Sequence, residues 1–347
     1  MTDNTTLTVN GTQAITAAGQ VANMYATGSI FADYTSRLAR NTQDARRADL
    51  DLWAVYLATA TAGHAAYTGA DYMAQPATWQ GVTWGLVTGF VAYLVNGGRA
   101  VGSINRALST VKVYAGLAVL AGAITADDGA MIRAVKGYSH RQGKQIDATR
   151  TAAGSATRIS NKKAVAVTIT PAQAAALKAQ PDTAQGRRDA VIMCLLLDHG
   201  LRVGEVALLQ VTDFDLKAGK FSFYRPKVDR VQTHRMTADT RRALAAWLAT
   251  DAPAMGALLR GSRKGGHLTG AGMIDRAINE RVTVLGDAIG LAGLSAHDCR
   301  HYWATRAAQA GTDAFALRDA GGWSSLAMPS RYVEAAAVAN DRVKLGD

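Results

Sequence analysis

The stretch HDCRHYWATRAAQAGTDAFALRDAGGWSSLAMPSRY, residues 297–332, decides the fold of the second half of this chain. Ser295 precedes a helix-like run over Ala296–Ala310, and a second run over Asp313–Ala320 ends at two glycines, which is typical of a helix C-terminus. Tyr332 lies in a further helical stretch. The pattern predicts consecutive short helices joined by tight turns.

Upstream of this stretch, helix and strand patterns alternate. Thr170-Pro171 is a helix-start signal, and Gly200 ends an apolar helix that begins at Arg187. Three short runs with strand character follow, and they predict a small antiparallel sheet: Gln210–Phe214, Lys220–Arg225 and Val231–Met236. After Thr237 we expect only helices, including Ala238–Ala249 and Ala271–Ile289.

The first 163 residues separate into three parts. Residues 1–28 are rich in Thr, Ala and Asn and predict a flexible N-terminal arm with a short helix near Ala14–Met24. Residues 29–137 show only helical periodicity, for example over Asp44–Thr59 and Ile104–Leu120, and predict a helical domain. Residues 138–163 are polar with Gly and Ser, which predicts a basic linker to a second domain at 164–347.

The formal net charge of +11 arises in the second half of the chain. Residues 1–130 hold 7 Lys/Arg against 8 Asp/Glu, whereas residues 131–347 hold 31 against 19. Such a balance favours an acidic polymer as partner, nucleic acid first, although a solvated basic surface is the plainer alternative. The segment 131–163 has 8 Lys/Arg and only Asp147 as an acid, which favours a linker along phosphate over a solvated hinge.

Several other classes of protein are disfavoured. Cys194 and Cys299 are far apart and suggest no disulfide framework, so we expect a cytoplasmic protein. A nucleic-acid partner would make it nucleoid-associated. We expect no signal peptide, because the N-terminus lacks a basic region followed by an apolar core. The apolar stretches Val82–Val95 and Val113–Thr125 fall short of the roughly 20 residues that span a bilayer, so we expect no membrane association.

Each polar motif has an ordinary structural explanation when it is taken alone. Arg202-Val203-Gly204-Glu205 is typical of a helix start with an ion pair. His297-Asp298-Cys299-Arg300-His301 is a capped first turn or a metal cluster, although its spacing matches no standard zinc pattern. Gly321-Gly322-Trp323 is a helix end followed by an aromatic anchor, and a lone tyrosine is usually a core or surface residue.

In their order along the chain, the motifs resemble the tyrosine recombinase, or phage integrase, family. The series is Gly200-Leu201-Arg202-Val203-Gly204-Glu205, Lys227 in a strand turn, His297-x-x-Arg300, Gly321-Gly322-Trp323 and Tyr332. The tyrosine nine residues after the tryptophan, and the C-terminal run that follows, are similar to the Cre recombinase branch. Residues 102–109 resemble the core-binding domain of the family, and the resemblance covers roughly residues 30–347.

The resemblance implies a mainly α fold with a small antiparallel sheet, in which a helical core-binding domain and a mixed α/β catalytic domain clamp DNA. It implies a site-specific recombinase that cleaves and rejoins DNA through a 3′-phosphotyrosyl bond at Tyr332 and a Holliday junction, with no metal, ATP or other cofactor. The partner is double-stranded DNA with paired inverted-repeat sites, bound by a homotetramer that is a monomer when free. A type IB topoisomerase-like enzyme and a non-catalytic DNA-binding protein are the alternatives.

The chemistry explains the residue types. A tyrosine nucleophile conserves the energy of the phosphodiester for religation. Arg202 and Arg300 fit the role of planar forks for the non-bridging oxygens. The other implied roles are leaving-group acid (Lys227), orienting carboxylate (Glu205) and phosphate contacts (His297 and Trp323). Arg225 and Arg230 flank Lys227, which leaves the identity of the acid open, and we expect a structural role for His301.

Basic residues in both halves are expected to contact DNA. Arg106 and Lys112 are predicted to face solvent on a helix that enters the major groove, and the expected set is Arg106, Lys112, Arg133, Lys136, Arg141, Lys144, Arg276 and Arg281. The tail after Tyr332 is predicted to form a short helix that docks on a neighbouring subunit. Packing of the tail on its own domain is the alternative.

Overall fold

Two units divide the chain in the computed structural model, which describes residues 11–154, 166–263 and 265–336. Unit 1 covers Met1–Lys163 and unit 2 covers Ala164–Asp347. The predicted fold class is confirmed, because the elements are mainly helices with small antiparallel sheets. Within the described ranges, no helix is both long and apolar enough to cross a bilayer.

Unit 1 is helical throughout its described part. Its helices are α1 (Gly11–Ser36), α2 (Arg40–Ala60), α3 (Gly69–Ala74), α4 (Trp84–Asn96), α5 (Val101–Leu120), α6 (Ala126–Ala134) and α7 (His140–Ala152). The core is aromatic: the Trp79 ring stacks between Trp53 and Tyr114, with ring centroids 6.1 and 6.4 Å apart. All three rings are fully buried, and each contributes roughly 1.5–3 kcal/mol through burial of apolar surface.

The structure has helices where the sequence predicted irregular segments in unit 1. The helix expected near Ala14–Met24 is longer than predicted, because α1 includes residues 11–28 of the arm, while residues 1–10 lie outside the described part. The predicted linker is wrong for residues 140–152, which form α7. Ser139 starts α7 with a capping box, in which its backbone N–H donates to Gln142 Oε1 at 2.8 Å. The capping signal was present in the sequence, but the polar composition hid it.

α7 is held against the rest of unit 1 by polar contacts. Arg150 donates to the carbonyl oxygens of Val95 at 2.5 Å and Arg99 at 3.1 Å, at the end of α4. Just before α7, the Asn105 side chain accepts from the Tyr138 N–H at 2.9 Å and donates to the Tyr138 carbonyl at 2.7 Å. These contacts make α7 part of the helical unit.

Unit 2 mixes helices with two small sheets. Its helices are α8 (Pro171–Lys178), α9 (Ala184–His199), α10 (Val203–Leu208), α11 (Ala238–Thr250), α12 (Asp275–Asp287), α13 (Ala296–Gln309), α14 (Ala314–Gly321) and α15 (Ala327–Ala336). Its strands are β1 (Phe214–Asp215), β2 (Lys220–Arg225), β3 (Arg230–Arg235), β4 (Arg260–Ser262) and β5 (Leu268–Gly272). β1, β2 and β3 form one antiparallel sheet in that order, and β4 pairs with β5.

In unit 2 the structure shifts the predicted start of one strand and of one helix, and it adds two strands that were not predicted. The first strand is β1, because residues 211–213 of the predicted strand form a 3₁₀ turn. β4 and β5 were missed because they are short, glycine-containing and lack an alternating burial pattern. The helix predicted from Ala271 begins at Asp275, since Gly272 still belongs to β5.

α9 is the central element of unit 2. It packs against α8, α11 and α13, and almost all of its apolar residues are fully buried. Gly200 ends it in the left-handed conformation, at φ 61°. A Cβ atom at Gly200 would lie 2.2 Å from the Trp303 ring of α13, so only glycine fits this turn. The turn at Gly200 therefore places the polar residues Arg202 and Glu205 immediately after the buried helix α9.

Candidate active site

Glu205 organises the polar residues that follow α9. Arg202 is the N-cap of α10, and its backbone N–H donates to Glu205 Oε2 at 2.8 Å. The Arg202 side chain donates to Glu205 Oε1 at 2.7 Å. Glu205 is only 3 % exposed, and Arg202 is 25 % exposed. One carboxylate therefore caps the helix and fixes the arginine at the same time.

Arg225 is the second partner of Glu205, and sequence reasoning missed this role. It ends β2, its side chain is completely buried, and its Nη1 lies 2.9 Å from Glu205 Oε2. Its Nε also donates to Gln232 on the neighbouring strand β3. The sequence places Arg225 only as a neighbour of Lys227, and no motif signals its burial.

The C-terminus of α14 holds all three arginines of the cluster. Arg202 donates to the Gly322 carbonyl at 2.9 Å, and Arg225 donates to the Ala320 carbonyl at 2.7 Å. Arg300 donates to the Gly321 carbonyl at 2.6 Å. The last carbonyls of a helix lack partners within the helix and carry partial negative charge, so they suit guanidinium donors.

Both glycines before Trp323 are required by geometry. A Cβ atom at Gly321 would lie 1.9 Å from the Trp323 ring. Gly322 is left-handed at φ 60°, and a Cβ atom there would lie 2.6 Å from Arg225 Cδ. The Gly-Gly-Trp motif is therefore the turn that exposes helix carbonyls to the arginines.

Arg300 is nearly as enclosed as Glu205. It is 4 % exposed, and it also donates to the Gly200 carbonyl at 2.5 Å. The Trp323 ring lies over the guanidinium, with 4.2 Å between the Arg300 Cζ atom and the ring centroid. The tryptophan therefore contacts the arginine by a cation–π interaction.

The cluster carries more positive than negative charge. Arg202, Arg225 and Arg300 face one carboxylate, Glu205. Burial, and next the charge of Arg202, lower the pKa of Arg300 to about 9. Burial also lowers the pKa of Arg225 to about 10. Both remain protonated at neutral pH, so a bound anion would relieve their repulsion.

Tyr332 lies beside this cluster on α15. Its hydroxyl is 2.6 Å from Nδ1 of His301 on α13, and its ring centroid is 6.1 Å from that of Trp323. Burial raises the pKa of Tyr332, and the charge of Arg300 opposes that shift. Burial lowers the pKa of His301, so this histidine is neutral at pH 7. His301, for which a structural role was predicted, therefore contacts the predicted nucleophile.

Lys227 and His297 are both exposed. Lys227 lies in the turn between β2 and β3, two residues beyond the buried Arg225. Arg230, at the other end of the turn, donates to the Asp319 carbonyl at 3.4 Å. His297 lies in the first turn of α13, with its ring edge-on to that of His301 at 4.5 Å between centroids. The structure thus brings Arg202, Glu205, Arg300, Trp323 and Tyr332 together with Arg225 and His301.

The residues predicted to contact DNA fall into two groups. Arg133, Lys136, Arg141 and Lys144 are exposed, and the last two share one face of α7. The prediction that Lys112 faces solvent is wrong. Lys112 is partly buried and donates to the Arg133 carbonyl at 2.8 Å and to the Val135 carbonyl, because it closes the C-terminus of α6.

The remaining predicted DNA contacts are ion-paired within the protein. Arg106 makes a forked contact to the buried Asp49, with a closest distance of 2.8 Å, and its side chain stays 53 % exposed. Arg281 pairs with the buried Asp189 at 2.7 Å. Arg276 pairs with Glu280 at 2.8 Å on the surface of α12.

No metal cluster is present among the residues that the structure describes, where no group of three or more His, Cys, Asp or Glu side chains is placed to hold an ion. The tail beyond Ala336, for which a docking helix was predicted, lies outside the described residues.

Comparison with known proteins identifies the family. Residues 168–338, nearly all of unit 2, match the model of the phage integrase family. Unit 2 therefore contains a phage integrase domain, the domain of the tyrosine recombinases. No curated protein matches the chain.

Solved structures of integrases share the fold. The Tn1549 transposon integrase, in complex with transposon right end DNA, has a TM-score of 0.57 at 16 % identity, over 88 % of this chain and 94 % of that chain. A lambda integrase dimer bound to a COC′ core site has a TM-score of 0.57 at 12 % identity, over 94 % of this chain and 84 % of that chain. At these identities the likeness is one of fold.

Proposed function

We propose that the chain is a site-specific recombinase in which Tyr332 attacks a DNA phosphate. The observation that carries the proposal is a tyrosine hydroxyl beside a cluster of three arginines, two of which pair with one carboxylate while the third, Arg300, is buried against Trp323. The excess positive charge suits a phosphodiester, and it suits even better the additional negative charge of the transition state. The match of this unit to the phage integrase family supports the same reaction.

The positions of the groups in unit 2 support the following reaction. The Tyr332 oxygen bonds to phosphorus while the bond to the 5′-oxygen breaks, which leaves a 3′-phosphotyrosyl link and a free 5′-hydroxyl. Arg202 and Arg300 stabilise the non-bridging oxygens, and Trp323 keeps the Arg300 guanidinium in place. Lys227 gives a proton to the 5′-oxygen. Attack by the 5′-hydroxyl of a partner strand reverses these steps and joins the two strands.

We also propose that the protein binds double-stranded DNA and assembles into a tetramer on it. Integrases with this fold have been solved with DNA, and the exposed basic residues of unit 1 suit a phosphate backbone. Exchange of strands between two inverted-repeat sites through a Holliday junction needs four active sites. A monomer in free solution should therefore become a tetramer on paired sites, which mass photometry of the DNA complex measures.

Trapping of the covalent intermediate tests the proposal. A nicked DNA substrate that loses its 5′-end after cleavage should accumulate a 3′-phosphotyrosyl adduct with the wild-type chain in the presence of EDTA. Tyr332→Phe should abolish the adduct, because the attacking hydroxyl is gone. Tyr302→Phe is the matched control, because Tyr302 is also a partly buried tyrosine contributed by a helix of unit 2. Equal adduct yields from both variants would refute the proposal.

Two further assays separate the alternatives. A type IB topoisomerase-like enzyme would relax supercoiled plasmid that lacks a recombination site, whereas a recombinase should act only where its site is present. A non-catalytic DNA-binding protein would bind the site and give no adduct with any substrate.

A further inference from the structure

We propose that His301 is the general base of the reaction, taking the proton from the Tyr332 hydroxyl as the oxygen attacks phosphorus and returning it when the strand is religated. The inference rests on the proposed function. His301 is not one of the motif residues that carry the family resemblance. The only histidine among those residues is His297. The contact of 2.6 Å between Tyr332 Oη and His301 Nδ1 carries it.

The two helices that bear the pair hold this contact in place. α13 and α15 pack against each other, and Tyr332 shares a small apolar cluster with Ala304, Leu317 and Trp323. The phenol ring is thereby confined on its apolar side, while its hydroxyl faces the imidazole. A proton transfer needs heavy atoms within about 2.6–3.2 Å, and this pair already meets that condition without DNA.

The charges around His301 favour its role as an acceptor. The titratable and charged groups that face it are His297, Asp298, Arg300 and Tyr332. The Asp298 charge raises the pKa of His301, although its carboxylate also accepts the N–H groups of Val167 at 3.0 Å and Ser295 at 2.8 Å. Burial and the Arg300 charge keep the imidazole neutral at pH 7, and with its proton on Nε2 it presents a lone pair at Nδ1.

Arg300 connects the base to the phosphate site. Its charge opposes the burial that raises the pKa of Tyr332 and adds to the burial that lowers the pKa of His301, because it favours the phenolate and disfavours the imidazolium. A phosphate bound by Arg300 would offset part of that charge, which makes protonation of His301 easier and also makes release of the Tyr332 proton to water harder. The histidine thus gains basicity when DNA occupies the site, which is when the tyrosine must lose its proton.

The proton balance of the step is complete. The Tyr332 O–H bond breaks and a new N–H bond forms at His301, as the Oη–P bond forms and the P–O5′ bond breaks. The 5′-oxygen takes its proton from the leaving-group acid, assigned to Lys227. During religation the imidazolium returns its proton to the departing phenolate. No oxidant, metal or further reactant is required.

Cleavage rates at several pH values test the inference. His301→Gln keeps a polar side chain of similar length but cannot act as a base near neutral pH. At pH 7 we expect single-turnover cleavage of the nicked substrate to slow by roughly a hundred- to ten-thousandfold. The wild-type rate should fall as the pH drops below the pKa of His301. The variant rate should instead rise about tenfold per pH unit from pH 7 to 9, because only ionised Tyr332 can attack.

Two chemical substitutions distinguish a base from a group that only positions the tyrosine. Fluorinated tyrosine at position 332 has a lower phenol pKa, and it should restore much of the rate lost in His301→Gln. A substrate with sulfur in place of the bridging 5′-oxygen has a leaving group that needs no acid. It should rescue Lys227→Ala and should not rescue His301→Gln.

Each outcome has one meaning. A wild-type rate and pH profile in His301→Gln, a loss of rate that is the same at every pH, or rescue of the variant by the sulfur substrate would overturn the inference. DNA affinity and melting temperature of His301→Gln should match the wild type, and His301→Asn serves as a second variant if His301→Gln folds poorly. Absence of the wild-type adduct would instead refute the proposed function.

Discussion

At Glu205 a single carboxylate meets two guanidinium groups in a site that is almost closed to water. Removing either partner of a buried ion pair leaves an uncompensated charge, and this cost far exceeds that of a surface pair. Arg202 differs from Arg225 in being partly exposed. At the scale of single residues, Arg202 is therefore accessible to a phosphate, whereas Arg225 is a positioning residue that holds Glu205 and the end of α14.

Removal of Arg202 or Arg300, the two arginines predicted to bind the non-bridging oxygens, tests whether they act on the phosphate. Arg202→Ala and Arg300→Ala should each slow cleavage by at least about a hundredfold, because each removes a charge-stabilising donor. DNA affinity should fall much less, since the protein still binds many other phosphates. Arg306→Ala, an exposed arginine on the same helix as Arg300, should cleave normally. Equal losses of affinity and cleavage would indicate a binding role only.

At the scale of elements, the end of α14 joins three parts of unit 2. Arg225 at the end of β2, Arg202 at the start of α10 and Arg300 on α13 all donate hydrogen bonds to the last carbonyls of α14. Because Lys227 follows Arg225 by two residues, these hydrogen bonds also fix the base of the turn that carries the predicted acid. The chemistry of the turn and the stability of the domain are thus connected through Arg225.

Replacement of Arg225 should be costly to the fold. Arg225→Gln leaves Glu205 with one partner and the Ala320 carbonyl without its donor, so we expect the free energy of unfolding to drop by about 3–5 kcal/mol. Arg230→Gln, in the same hairpin, removes one long hydrogen bond at an exposed site, and it should stay within about 0.5 kcal/mol. Urea unfolding of both variants measures the difference, and similar midpoints would contradict the role given to Arg225.

At the scale of the whole molecule, the exposed basic residues tested below and the candidate active site belong to different units. The arginine cluster and Tyr332 belong to unit 2, whereas the exposed basic residues of α6, α7 and the segment between them belong to unit 1. Ion pairs between basic side chains and phosphates are independent of sequence and release counterions. Unit 1 should therefore supply salt-dependent affinity without contributing to the chemical step.

The salt dependence of DNA binding tests this assignment. Alanine at Arg133, Lys136, Arg141 and Lys144 together should flatten the log–log slope of affinity against salt by roughly 0.9 for each phosphate that the variant no longer neutralises. Lys112→Ala is the contrast, because Lys112 bonds to carbonyls of its own unit. It should lower the melting temperature and leave the slope unchanged. A slope unaffected by the fourfold variant would place this surface away from DNA.

The sequence alone determined the fold class and most of the candidate site. Helical periodicity, glycine turns and the alternating strands β2 and β3 are local signals, so they are legible without tertiary contacts. The order of Arg202, Glu205, Arg300, Trp323 and Tyr332 was enough to indicate the chemistry. α7 and β4–β5 were missed because polar or glycine-rich composition masks short elements that depend on packing for their stability.

Only the tertiary structure decided which side chains meet. The burial of Arg225 between Glu205 and the end of α14 joins positions 20 and 95 residues apart, and no periodicity encodes such an arrangement. The pairing of His301 with Tyr332 depends in the same way on how α13 and α15 pack. Lys112 was predicted to face solvent, but it donates to the Arg133 carbonyl at the end of α6, a partner that the sequence pattern does not reveal. The chemistry of a reaction indicates which residue types it needs, but long-range packing determines which side chains contact each other.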